Sequence, residues 1–156
     1  MTELVFKQFE MTRGWFIKVA ESIPQEIANI QPDIFNNNIH WHIGHVLTAC
    51  EQLIFDFPEK TNNLPDNYVA LFETGTKPAD WNGDIPDVNT LIAQLKDQLQ
   101  RLKQIPPGQL QERIEKPFFG LETFGELAGF INVHEAVHIG KIEEMKRVIE
   151  FQAFKS

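Results

Sequence analysis

Apolar side chains recur every three or four residues between Val88 and Leu102: Val88, Leu91, Ile92, Leu95, Leu99 and Leu102. This step matches the 3.6-residue turn of an α-helix and gathers all six on one stripe, which needs an apolar partner. Three other segments repeat the period. Leu4, Val5, Phe9, Thr12, Trp15, Phe16 and Val19 carry it as far as Pro24, and Ile39, Ile43, Val46, Leu47, Cys50, Leu53, Ile54 and Phe57 carry it to Pro58. Leu127, Phe130, Ile131, His134, Val137, His138, Ile142, Met145, Val148 and Ile149 carry it almost to the end. No strand alternation competes, so the pattern predicts an all-α chain folded as a four-helix bundle.

Start signals agree with the stripes. Asn36 to Asn38 precede the second segment and Asp87 the third, each a good N-cap; Thr123 to Glu126 has the S/T-x-x-E form of a capping box ahead of the fourth. Residues 58–86, rich in Pro and Gly, form a long crossover between the second and third helices, with one short helical turn around Tyr68 to Phe72. A connection of that length crosses the structure or lines a site.

The 156 residues fit a single domain, 1–156, and 42% hydrophobic with 23% charged residues is a globular composition. No apolar run reaches the roughly 20 residues of a membrane span. The N-terminal stretch lacks a signal-peptide pattern, and Cys50, a lone cysteine, forms no internal disulfide, so the expected location is cytoplasmic. Fourteen Lys and Arg against 22 Asp and Glu give a net charge of −8 without a basic stripe. This argues against nucleic acid as partner and leaves a small-molecule substrate. Apolar helix faces left over from the core would support a homodimer.

The chemistry lies in five histidines, at 40, 42, 45, 134 and 138, all in or beside two of the four helices. His134 and His138 are about 40° apart around the last helix, on the side of Leu127, Phe130 and Met145, and so face the interior. Buried imidazoles need a hydrogen-bond partner or a metal, since an unpaired polar group in the core costs about 1–3 kcal/mol.

"HEAVH" at 134–138 matches the H-E-x-x-H of zinc peptidases, but only the spacing matches. Eighteen residues remain after His138, all on the same helix, with neither a third histidine nor a glutamate able to fold back. A third ligand must come from "NNIHWHIGHVLTACEQ". His45 shares a face with Trp41, Thr48, Ala49 and Leu53; His42 lies about 60° away and is the reserve ligand or hydrogen-bond donor to one, and His40, near the N-cap, meets solvent.

Residues 37–51, "NNIHWHIGHVLTACE", and 130–146, "FINVHEAVHIGKIEEMK", resemble the two motif helices of the DinB/YfiT-like superfamily of bacterial metal-binding four-helix bundles. The resemblance implies a three-histidine site for a divalent metal, commonly zinc or nickel, with the ligands falling on His45, His134 and His138. It also implies that the activity lies among thiol-dependent S-transferases, which use a low-molecular-weight thiol such as bacillithiol, mycothiol or glutathione, or among members with no assigned reaction.

Three neutral imidazoles leave a coordination position open, the form of a catalytic rather than a closed site. Zinc held this way lowers the pKa of bound water to about 7 or keeps a thiolate deprotonated, so a transferase and a hydrolase are both chemically open. Glu135, the general base of H-E-x-x-H, lies about 60° beyond His138, where it reaches the site rim as the candidate catalytic carboxylate or pairs with a neighbouring helix; an ordinary solvated or hydrogen-bonding role competes. Thr48 and Glu135 are candidate partners for the imidazole N–H groups. Cys50 points away from the site. Trp15, Trp41 and Trp81 read as core or loop anchors, and Phe118 and Phe119 in "PFFG" as packing at the site's open side.

Overall fold

Three of the four long helices begin where a polar side chain takes up backbone N–H groups that the first turn cannot satisfy. The computed structural model describes residues 2–156 and contains α1 (Thr2–Glu21), α2 (Gln25–Ala28), α3 (Ile39–Phe55), α4 (Asn67–Phe72), α5 (Val88–Lys103) and α6 (Phe124–Lys155). Asn38 Oδ1 accepts from Trp41 N at 2.8 Å to start α3, and Asp87 Oδ1 accepts from Thr90 N at 2.7 Å to start α5. At the head of α6 the expected capping box is complete, Thr123 Oγ1 accepting from Glu126 N and Glu126 Oε2 from Thr123 N. α3 stops at Asp56, whose left-handed backbone ends the helix just ahead of Pro58.

The fold is mostly helical. α1 and α3 each pack against both α5 and α6, which buries the apolar stripes in two adjoining clusters. One holds Phe16, Ile43, Leu47, Phe72, Leu91, Leu95 and Ile142. The other holds Phe9, Cys50, Ile54, Leu102, Leu127 and Ile131. Each fully buried side chain of this size contributes about 1.5–3 kcal/mol. Among the described residues no helix is long and apolar enough to cross a membrane.

Three expectations are corrected. The helical fold carries one small strand pair where none was expected: β1 (Arg113–Phe118) and β2 (Leu121–Thr123) form an antiparallel hairpin between α5 and α6. Nine residues with Pro117 among them, mostly exposed, leave no apolar alternation to read. The stripe of α1 is also rotated from its expected position: Leu4 and Trp15 are exposed, Trp15 at 52%, while the guanidinium of Arg13 is wholly buried. On α6, Val137 is exposed and Glu135 is buried.

Candidate metal centre

α3 and α6 pack together, and that contact brings the two histidine segments face to face. One ring nitrogen from each of His45, His134 and His138 lies within 4.8 Å of the other two. His45 Nε2 and His134 Nε2 are 3.1 Å apart, and His42 Nδ1 and His138 Nδ1 are 2.8 Å apart. His45, His138 and His42 are buried, whereas His134 is half-buried and marks the solvent side of the group.

His45 is the best-oriented of the set. Its Nδ1 is 2.7 Å from the carbonyl oxygen of Phe72, so Nδ1 carries the proton and donates it, and the Nε2 lone pair is left facing His134. Trp41, one turn earlier, stacks on the His45 ring with centroids 4.5 Å apart and planes 9° from parallel. Trp41 is itself fixed by its Nε1–H, which donates to Thr76 Oγ1 at 2.9 Å. The long connection therefore lines the site through Phe72 and Thr76.

Phe72 reaches this place because residue 44 has no side chain. A Cβ on Gly44 would sit 2.4 Å from the Phe72 ring, far inside contact distance. The sequence carries the glycine directly before His45, but its meaning depends on a residue 28 positions away.

The imidazoles are held neutral. Burial is the largest cause throughout, pushing His42 and His134 down to about 4 and His138 down to about 2, with mutual repulsion and the ammonium of Lys141 acting in the same direction. His45 is also lowered by burial, against the opposing Phe72 carbonyl. No described carboxylate acts on these four rings, and Lys141 acts on all of them.

Neutral imidazoles with converging nitrogens suit a divalent cation: in the facing pairs one ring must lend a proton to the other, and a cation takes the place of that proton. The donor set fits zinc, nickel or a similar borderline metal, because all three donors are imidazole nitrogens.

Of the other expected partners, His42 is hydrogen-bonded to His138 and lies outside the group of three. Thr48 is buried but makes no hydrogen bond to a site ring. His40 does not meet solvent: its two nitrogens reach Asn29 Oδ1 at 2.8 Å and the carbonyl oxygen of Pro86 at 2.7 Å, tying α3 to both flanking connections.

Glu135 is neither solvated nor turned to the histidines. Its two oxygens accept from Arg13 Nε at 2.6 Å and Nη2 at 3.1 Å, and Arg13 Nη1 donates to the carbonyl oxygen of Leu95. A pair between Glu135 and a neighbouring helix was open from the sequence, but its partner was not identified; the one available signal was an arginine beside Thr12 of the α1 stripe. Cys50 lies in the core, its thiol pushed up to about 12 chiefly by burial.

A cleft of about 680 Å³ between the end of α3, the hairpin and the start of α6 is lined by Leu53, Phe118, Phe124 and Leu127 among others, and includes none of the histidines.

The sequence profile of the DinB superfamily matches residues 8–142. A solved structure described as the conserved protein of a locus from Enterococcus faecalis superposes with a TM-score of 0.66, covering 94% of this chain and 95% of that one at 16% identity. At that identity the likeness is one of fold. No curated protein sequence matches the chain.

Proposed function

The chain belongs to the DinB superfamily, and from that premise we propose that it is a divalent-metal-dependent enzyme, a thiol-dependent S-transferase, with His45, His134 and His138 as the metal ligands. The observation that carries this reading is the convergence of three neutral ring nitrogens within 4.8 Å. A divalent cation held by them supplies a Lewis acid with an open position, able to keep a bound thiol deprotonated near neutral pH.

Each chain residue then has a defined task. Phe72 fixes the His45 tautomer, Trp41 holds the plane of that ring, and His42 restrains His138 through Nδ1. If His138 binds through Nε2, its Nδ1–H donates to His42. The reaction joins thiol sulfur to an electrophilic carbon as the bond to the leaving group breaks, and the thiol proton passes to solvent.

Transfer is favoured over hydrolysis by the state of Glu135. Water on such a cation titrates at about 7, but the carboxylate that would assist its attack in the H-E-x-x-H position has both oxygens accepting from Arg13 instead. A thiol is acidic enough to be deprotonated without that base. We therefore read Glu135 as the counter-ion of Arg13. A non-catalytic metal-binding module of the same family is the alternative.

The four long helices are read as a four-helix bundle with residues 56–87 as the crossover, on the strength of their pairwise packing. A cytoplasmic protein with a small-molecule substrate, acting as a monomer or homodimer, accords with the lone buried cysteine and the net charge of −8.

The test is a thiol-transfer assay on zinc- or nickel-loaded protein, using monobromobimane as electrophile with a panel of low-molecular-weight thiols. The expected result is turnover that needs both metal and thiol and disappears in His45→Ala. Metal-loaded protein inert with every thiol would leave the non-catalytic alternative.

A further inference from the structure

The hairpin ahead of α6 turns on a residue that turn chemistry does not favour. Phe118 pairs with Leu121, so the loop consists of Phe119 and Gly120 alone, and both have positive φ, 49° and 78°. A two-residue turn with both residues left-handed is ordinarily Asn-Gly or Asp-Gly, because a bulky side chain is strained there. Phe119 is also 85% exposed, so burial does not offset the strain. A local conflict that burial does not offset points to function.

The exposed ring begins a series that ends at the histidines. Phe119 meets Phe118 edge-on at 4.6 Å and lies 6.2 Å from Phe130; Phe118 meets Phe130 edge-on at 5.3 Å. Phe130 stacks on His134, centroids 6.0 Å apart and planes 25° from parallel. His134 is the half-buried member of the group, and the series of rings joins it to the exposed hairpin turn. Val137, one turn beyond His134 on α6, is exposed as well. Three histidines on a metal can hold a reactive atom but cannot select the molecule that carries it; selection falls to the side chains at the opening.

We propose that Phe119, backed by Phe118 and Phe130, is the recognition wall for an aromatic group on the substrate of this metal centre. Offset or edge-to-face contact with a ring is what such a wall offers, and an exposed residue without packing partners on its outer face is free to make it. The inference rests on the reading of His45, His134 and His138 as metal ligands, and names the class of molecule that approaches them.

The experiment loads the protein with cobalt(II) as a spectroscopic probe and titrates it with benzohydroxamate and with acetohydroxamate, which share a metal-binding group and differ in the ring. The wild-type protein is expected to bind the aromatic probe about tenfold more tightly. In Phe119→Asn that preference falls to about threefold or less, while cobalt content and acetohydroxamate affinity stay as in the wild type. Melting temperature is unchanged or higher, because asparagine suits the turn. A purely structural Phe119 would leave the preference intact. Phe130→Leu, which keeps an apolar side chain but removes the stacked ring, is expected to lose part of it.

If the wild-type protein takes up no cobalt, the metal reading fails. If cobalt binds and the two hydroxamates bind alike, or the preference survives in Phe119→Asn, the aromatic wall is wrong and the metal centre stands. A Phe119→Asn variant that changes sedimentation but not probe selectivity would mark the ring as a contact between copies and overturn the proposal.

Discussion

Within one turn of α6, Glu135 and the flanking His134 and His138 belong to two buried polar regions balanced in opposite ways. On one side every charge has its opposite: Glu135 faces Arg13, and the buried Glu51 accepts from Gln98 Nε2 at 2.6 Å, Arg101 Nη1 at 2.7 Å and Asn63 Nδ2 at 3.0 Å. On the other side four neutral imidazoles face one another with no carboxylate acting on them. The charges of the first region are balanced within the protein. The second has converging ring nitrogens that share protons in pairs, and a cation would take the place of a shared proton. Burial alone therefore does not mark a functional group; what matters is whether its hydrogen-bonding and charge requirements are already met by the chain.

The largest effect should come from unbalancing the complete region. Glu135→Ala leaves Arg13 buried without a partner and should cost about 3–5 kcal/mol, measured by urea denaturation of the metal-free protein. The double variant Arg13→Met, Glu135→Leu should recover much of that loss, since removing both charges removes the demand. A single variant with near wild-type stability would mean that the pair is not buried as described.

Gly44→Ala attacks the support of the histidine region. The added methyl forces the Phe72 ring aside at a cost of about 1–3 kcal/mol. It should also weaken metal binding, because the carbonyl that orients His45 moves with that residue. Calorimetric titration should register both changes; lost stability with unaltered affinity would separate Phe72 from the site.

His42→Gln removes a partner of a ligand but not a ligand. Metal affinity should fall about tenfold, at the lower end of what loss of such partners costs. Affinity lost altogether would make His42 a ligand in its own right.

Acid should affect the histidine region in the metal-free protein first. Folding holds His42 and His134 at about 4, below their ordinary 6.5, so the unfolded chain takes up these protons first. Their contribution is fully present above about 6.5 and declines as pH falls towards about 4. A urea midpoint that drops between pH 7 and pH 5, ahead of most carboxylate protonation, is the expected result; a flat profile would contradict neutral burial.

What the sequence made legible was local. Caps at Asn38, Asp87 and Thr123 act over three residues, and the His134 to His138 spacing over one turn, so propensity and period suffice to find them. Arg13 with Glu135 spans 122 positions, and His45 with Phe72 spans 27 through a backbone carbonyl that no side-chain pattern reports. His40 looked like a solvent-facing cap neighbour because its partners, Asn29 and Pro86, come from connections whose paths have no period. The hairpin was invisible for a related reason: its turn is Phe-Gly where the usual signal is Asn-Gly.

The most direct test is equilibrium dialysis of purified protein against zinc, with elemental analysis, on the wild type and on His45→Ala, His134→Ala and His138→Ala. One ion per chain in the wild type, lost or severely weakened in each of the three variants, is the predicted result. A wild type that holds no metal, or variants that all retain it at full stoichiometry, would contradict the claim that these three rings share one cation.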